Sequence, residues 1–140
     1  MRFSNKFDYA LRAVLELAIN YGSEVVSIHD IAEKEGIPKR YLEHLLLGLK
    51  QGGIVDSVRG KAGGYALAKR PEDITALDIM NAVEGTVNII PKTNRNLGKS
   101  VINDVWQSLQ VAVTEVLSSI TLDDLVNKRR KAEKTLTYSI

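Results

Sequence analysis

The sequence of 140 residues contains no cysteine. This excludes a disulfide framework, a CxxC redox pair, a zinc finger and an iron–sulfur cluster held by thiolates. The two histidines, His29 and His44, lie far apart in the chain, and no segment resembles a nucleophile elbow. We therefore expect no metal, no cofactor and no enzymatic activity.

Long apolar runs are missing as well. The first apolar stretch is interrupted by charges at Lys6, Asp8, Arg12 and Glu16, so it is neither a signal peptide nor a membrane span. No later run reaches the roughly 18 apolar residues that a span requires. We expect a cytoplasmic protein without membrane contact, and a mass of 15.5 kDa predicts one domain, or one domain plus a dimerisation arm.

Apolar periodicity and helix-capping residues predict a mainly α-helical chain. Capping-box patterns begin at Ser27, Thr75 and Thr121, each followed three residues later by aspartate. The predicted helices are residues 7–21, 28–35, 38–51, 75–84 and 99–118, with a short last helix after Thr121.

Two short strands, residues 54–58 and 65–68, are predicted on either side of a glycine-rich basic tip, Arg59-Gly60-Lys61-Ala62-Gly63-Gly64. Following directly on two short helices, this hairpin indicates the wing of a winged helix-turn-helix. The alternatives are a mobile turn or a phosphate-cradling loop, but a nucleotide loop would have to open a helix, and this tip leads into a strand.

The helix pair before the hairpin has the features of a helix-turn-helix. Ala32 is small enough for the helices to cross closely, Gly36 can make the turn, and Leu42 and Leu45 are apolar. Many helical hairpins share these features, so this pattern alone does not decide between DNA binding and simple packing.

Charge is concentrated in the same segment. Residues 34–70 hold eight basic and three acidic residues, whereas the whole chain has 19 basic and 17 acidic ones. The segment is therefore +5 and the remainder −3, which is typical of a phosphate-binding face. The candidate DNA-binding residues are Ser27, His29, Lys39, Arg40, Tyr41, Glu43, His44, Arg59, Gly60 and Lys61.

Several of these residues have other interpretations. Glu43 could accept a hydrogen bond from cytosine, and Arg40 or His44 could donate to guanine, but Glu43 could equally pair with Lys39 or Lys50 on the helix surface. His29 could contact a phosphate or simply be a solvated surface residue.

The longest predicted helix carries an apolar stripe that the rest of the chain is too small to cover. Soluble monomers avoid such patches, so we expect a twofold homodimer through this helix, with packing back on the same chain as the alternative. The candidate dimerisation residues are Ile102, Val105, Trp106, Leu109, Val113, Val116 and Leu117. The predicted division is a DNA-binding domain over 1–85, a linker over 86–98, and a dimerisation helix with a short C-terminal helix over 99–140.

The stretches 41–46 (YLEHLL) and 52–68 (GGIVDSVRGKAGGYALA), with MRFSNKFDYALRAVLELA at the start, resemble the bacterial family of dimeric winged-helix regulators that includes IscR, NsrR and CymR. The resemblance implies a homodimer on a partly palindromic operator. It places Arg40, Glu43 and His44 at base-reading positions in the major groove and Arg59 in the minor groove.

The resemblance also bears on cofactors and partners. Members with an iron–sulfur cluster carry three cysteines before the long helix, where this chain has the cysteine-free residues 86–100, and Asp8 matches a cluster ligand of some members. The chain therefore resembles the cluster-free, CymR-like branch, in which a partner enzyme modulates DNA binding. We expect a transcriptional regulator, most simply a repressor; the alternatives are a protein-interaction module, or a ligand sensor with a pocket near 86–98.

Overall fold

The computed structural model describes residues 4–92 and 101–139, and it has the mainly helical winged architecture expected from the sequence. The helices are α1 (Asn5–Ile19), α2 (Ile28–Glu35), α3 (Lys39–Gln51), α4 (Ala76–Glu84), α5 (Val101–Ser119) and α6 (Leu122–Ser139). The strands are β1 (Val55–Val58) and β2 (Gly64–Leu67), and one turn of 3-10 helix, Pro71–Asp73, precedes α4.

Leucines on one face of α3 form the centre of the core. Leu42, Leu45, Leu46 and Leu49 are each at most 1% exposed, and their three- and four-residue spacing places them on one side of the helix. This face packs against α1, α2 and α4. The opposite face of α3 is thereby left to solvent.

The two strands form an antiparallel hairpin, with Val55 opposite Leu67 and Val58 opposite Gly64. A third segment joins this sheet at one residue. Val26 donates to the Tyr65 carbonyl at 2.9 Å, and Tyr65 donates back to the Val26 carbonyl at 2.8 Å. The periodicity of the sequence does not predict this contact, because a single bridging residue has no pattern of its own.

Two capping boxes are confirmed and prove to be neighbours. Thr75 and Asp78 exchange hydrogen bonds at the start of α4, and Thr121 and Asp124 do the same at the start of α6. Ala76 donates to the Ile120 carbonyl at 2.8 Å, and Leu122 donates to the Ile74 carbonyl at 2.9 Å. These two backbone bonds hold the beginnings of α4 and α6 side by side.

The prediction of a short last helix was wrong. Helix α6 has 18 residues and continues through the basic run at 128–131. The reason is local, since residues 122–139 contain neither glycine nor proline and include three leucines, three lysines and two arginines, which favour helix. The first turns of α6 belong to the main core, because Leu122 is 1% and Val126 is 4% exposed. The division of the chain at residues 85 and 99 stays a prediction.

Smaller shifts occur at other boundaries. Helix α1 ends at Ile19 rather than at residue 21. The carbonyl of Glu16 accepts from the backbone amide of Asn20 at 3.3 Å and from its side chain at 2.8 Å, so Asn20 closes the last turn of the helix before Gly22 is reached. Part of the predicted linker is also held in place, because Gln110 of α5 bonds to the carbonyl of Val87 and accepts from the amide of Ile89. Residues 93–100 lie outside the described part.

Glu16 is a charged residue inside the fold, at 6% exposure. Its carboxylate lies 3.4 Å from Arg129 Nη1 of α6 and 3.8 Å from Lys34 Nζ of α2. Glu35 shares a hydrogen bond with the same carboxylate. Partial burial of Glu35, this bond and the charge of Glu16 together raise the pKa of Glu35. The group connects α1 with both α2 and α6.

Replacement of Leu122 by alanine is expected to lower the free energy of unfolding by about 3 kcal/mol, because a fully buried leucine leaves a cavity in the common core. Urea denaturation followed by circular dichroism at fixed protein concentration measures this. The control is Leu136→Ala, also on α6 but 65% exposed, which should change stability by less than about 0.5 kcal/mol. Equal effects of the two substitutions would contradict the placement of α6 in the core.

Glu35→Gln is expected to stabilise the protein at neutral pH. Because the pKa of Glu35 is raised in the folded state, the folded protein binds more protons than the unfolded chain. The stabilising contribution of Glu35 is therefore complete below its ordinary pKa of 4.5 and is lost as pH rises through the raised value. Glutamine stays neutral and avoids this loss.

The thermal midpoint of Glu35→Gln should exceed that of the unsubstituted protein by about 1–2 °C at pH 7, a small gain because Glu35 is partly exposed. The gain should disappear at about pH 4, where Glu35 is protonated in both the folded and the unfolded state. Glu24→Gln, at an exposed position, is the control. A gain that grew as the pH was lowered would contradict the proposed arrangement of charges.

Candidate nucleic-acid interface

The exposed face of α3 carries the predicted base-reading residues. Arg40, Glu43 and His44 are all exposed, on the side opposite the buried leucines, and Lys39 is exposed at the start of the helix. The turn before α3 is made by Gly36, whose φ of 63° is left-handed and favours glycine. A two-helix unit of this kind presents its second helix outward, as DNA-binding helix-turn-helix proteins do.

Glu43 forms neither of the ion pairs that would make it a simple surface residue. Within residues 4–92 and 101–139, no ion pair joins it to Lys39 or to Lys50. Lys50 instead donates to the hydroxyl of Ser57 in β1 at 2.7 Å. The Glu43 carboxylate is therefore available to accept hydrogen bonds from a ligand.

The tip of the hairpin projects Arg59, Gly60 and Lys61 into solvent, and we call residues 55–67 the wing. The tip is closed by the Gly63 amide, which donates to the Gly60 carbonyl at 3.0 Å. Gly60 has a φ of 117°, a conformation that side chains rarely adopt. The result is a narrow basic projection whose backbone can approach another surface closely.

The wing is attached to the helix-turn-helix through a close backbone approach at Gly64. A Cβ atom at this position would lie 2.3 Å from the carbonyl oxygen of Val26, so only glycine fits without displacement. Val26 directly precedes Ser27, whose hydroxyl accepts from the Asp30 amide at 3.1 Å and so caps α2. The position of the wing is thus set relative to the start of α2.

The other residues predicted to contact DNA differ in their exposure and in their partners within the protein. Ser27 is half-buried and uses its oxygen in the cap. His29 is exposed, and its Nε2 lies 3.2 Å from Glu33. The ring of Tyr41 is half-buried against Tyr9, with centroids 5.7 Å apart in an edge-to-face arrangement. The aromatic ring of Tyr41 therefore packs within the protein, and the role of all these residues in DNA binding stays a prediction.

Most of the cations of residues 34–70 have no acidic partner. Lys34 pairs with Glu16, and Arg70 pairs with Glu72 and Asp73. The other six are exposed and form no ion pair within the described part of the chain: Lys39, Arg40, Lys50, Arg59, Lys61 and Lys69. Five of these six lie on α3 and the wing, and Lys69 follows the wing by two residues; such a group of uncompensated cations is suited to binding phosphate.

Helix α5 divides the predicted dimerisation residues into two stripes. None of its residues is fully buried, although it packs against α4. The stripe that faces the chain itself is half-buried and consists of Trp106, Val113 and Leu117, together with Gln110. The exposed stripe consists of Ile102, Val105, Leu109 and Val116, which are 59, 63, 37 and 57% exposed.

The alternative of a ligand sensor near 86–98 stays a prediction, because residues 93–98 lie outside the described part of the chain. Two shallow clefts of about 210 and 240 Å³ lie beside α4, and residues 86–92 line neither of them. Among the helices of the described residues, none is long and apolar enough to cross a membrane.

Comparisons with known proteins cover nearly the whole chain. Residues 3–128 match the model of the Rrf2 family, described as an iron-dependent transcriptional regulator. An HTH-type transcriptional regulator of Rhodobacter capsulatus, described as Rrf2-like, is 32% identical over 95% of this chain and 97% of its own length. These matches agree with the resemblance found in the sequence.

Solved structures agree with the fold. CymR, the global cysteine regulator of Bacillus subtilis, is similar with a TM-score of 0.82 and 34% identity, over 91% of this chain and 98% of that chain. IscR of T. potens is similar with a TM-score of 0.80 and 37% identity, over 94% of this chain and 90% of that chain.

The family description names iron, but the residues of this chain do not fit an iron–sulfur cluster. The sequence has no cysteine to supply a thiolate. Within the described residues, no group of three histidine, cysteine, aspartate or glutamate side chains could hold a metal ion. The absence of cysteine agrees with similarity to the CymR-like members.

Proposed function

The chain belongs to the Rrf2 family of transcriptional regulators, so it is a DNA-binding regulator rather than an enzyme, and we propose that it is a homodimeric repressor of a partly palindromic operator. The observation that carries the proposal is a set of six exposed cations without an acidic partner within the described residues, five of them on α3 and the wing and the sixth, Lys69, two residues after the wing. Six to ten phosphate contacts produce strong, salt-dependent binding to duplex DNA.

In this proposal α3 enters the major groove. Arg40 and His44 donate to guanine, and Glu43 accepts from the amino group of cytosine. The free carboxylate of Glu43 supports this assignment, because a carboxylate already paired to lysine would read no base. Lys39, Ser27 and His29 lie near the helix starts, where contacts to phosphate fix the position of the protein without reading sequence.

The wing carries the second contact. The exposed Arg59 and Lys61 stand on a narrow tip, and an arginine of this kind is favoured in the negative potential of a narrow minor groove. The glycines of the tip leave room for the sugar–phosphate walls. The wing therefore adds a preference for A·T-rich flanks to the base contacts of α3.

Two copies of the chain associate through the exposed stripe of α5. Ile102, Val105, Leu109 and Val116 are spaced by three, four and seven residues, as in a coiled-coil seam. A twofold dimer would bury this stripe and present two copies of α3 to successive turns of the duplex. Occupation of an operator that overlaps a promoter would then block transcription; a regulatory partner protein stays a prediction.

Arg59→Ala is expected to weaken binding to the operator by about 1–3 kcal/mol, mainly for operators with A·T-rich flanks. The slope of log affinity against log salt concentration should become shallower by about one. Fluorescence anisotropy with duplexes from a binding selection, at several salt concentrations, measures both effects. Arg70→Ala is a matched control, because Arg70 is already paired with Glu72 and Asp73. Equal losses of operator affinity in the two variants would contradict the proposed role of the wing.

Leu109→Glu is expected to weaken the dimer at least about 100-fold, because it places two buried charges at the seam without partners. Sedimentation equilibrium measures the dissociation constant. The control is Val111→Glu, at a position 53% exposed on another side of α5, which should leave the dimer intact. A monomeric unsubstituted protein, or dissociation by the control alone, would overturn the proposed interface.

A further inference from the structure

Helix α3 contains one leucine that takes no part in the core. Leu47 is 52% exposed, whereas the other four leucines of α3 are at most 1% exposed. A leucine on a helix surface contributes little to folding, and the core of α3 is complete without it. The helix therefore carries one large apolar side chain that the folded chain leaves exposed.

The neighbours of Leu47 on the surface of α3 indicate what its side chain contacts. At about 100° per residue, Leu47 lies on the same face as Glu43 and His44, four and three residues before it. This is the face opposite the buried leucines, and Arg40 lies one further turn away on the same side. Leu47 thus continues the row of candidate base-reading residues by one helical turn.

In the major groove of DNA, the group that apolar side chains contact is the methyl group of thymine. The C5 methyl of thymine projects into this groove, and apolar side chains recognise it by contact. A protein partner of such a polar, cationic face would instead have to cover Arg40, Lys39 and Lys50, which are exposed and unpaired within the described residues. The charge around Leu47 favours a polyanion as the occupant.

We propose that Leu47 is a specificity-determining residue that contacts the C5 methyl group of a thymine in each half-site. The inference rests on the proposed function, because it requires α3 in the major groove. Four residues of helix advance about 6 Å, and base pairs are spaced about 3.4 Å apart. The thymine should therefore lie about two base pairs from the base that Glu43 contacts.

The experiment begins with a duplex selected by the unsubstituted protein from a random library. Each thymine of the half-site is then replaced by deoxyuridine, which lacks only the methyl group. At one position, the affinity of the unsubstituted protein should fall about fourfold, the value for one methyl group removed from apolar contact. Leu47→Ala should bind the thymine duplex more weakly and should not distinguish thymine from uracil at that position.

The control is Leu136→Ala, at another exposed leucine on a helix. This variant should distinguish thymine from uracil as well as the unsubstituted protein does. Circular dichroism checks that Leu47→Ala is folded, as expected for alanine at an exposed helical position. Salt-dependent binding without discrimination at any thymine would overturn the inference and leave the proposed function standing. A change in dimerisation rather than in DNA affinity would assign Leu47 to a protein interface, and failure to select any duplex would overturn both proposals.

Discussion

The two hydrogen bonds between Val26 and Tyr65 hold the candidate interface together. A hairpin of two short strands is marginal by itself, and this one is fixed on its second edge to the residue that precedes the cap of α2. The close approach depends on Gly64, since any side chain there would collide with the Val26 carbonyl. The orientation of the wing relative to α3 is thereby fixed, because Val26 leads into α2 and α2 packs against α3.

The buried leucine face of α3 stabilises the fold enough to tolerate charge repulsion on the exposed side of the same helix. Lys39, Arg40 and Lys50 are exposed on α3 without acidic partners among the described residues, and their mutual repulsion opposes folding. The cost is tolerable because the cations are exposed, and the burial of Leu42, Leu45, Leu46 and Leu49 offsets it. By contrast, Glu16 carries a charge inside the fold and is surrounded by Arg129, Lys34 and Glu35. Glu16 is thus held among charged neighbours, whereas the cations of α3 and of the wing tip have no acidic partner within the described residues.

Local signals in the sequence predicted most of the fold. The capping boxes at Thr75 and Thr121, the hairpin around the basic tip and the apolar face of α3 each depend on residues close together in the chain. The contacts that position these elements join residues far apart, such as Val26 with Tyr65 and Ala76 with Ile120. No periodicity encodes them.

The candidate site was predictable to a similar degree. Residue type and helical spacing placed Arg40, Glu43 and His44 on a common exposed face. Whether Glu43 was already paired depended on side-chain geometry, and the partner of Lys50 turned out to be Ser57 in the neighbouring strand. The exposure of Leu47 agrees with the helical spacing, which places the other four leucines of α3 on one side and leaves Leu47 off it.

Helix α5 adds the last constraint, because its two stripes have different roles. The stripe with Gln110 and Leu117 attaches α5 to its own chain, through α4 and through the backbone of Val87 and Ile89. A helix held on one side in this way cannot rotate to hide its other stripe. In the proposed dimer, the angle and distance between the two copies of α3 would follow from these intrachain contacts together with the seam at Leu109. The spacing of operator half-sites would then be a property of the folded chain, because the same α4 that supports α5 also packs against α3.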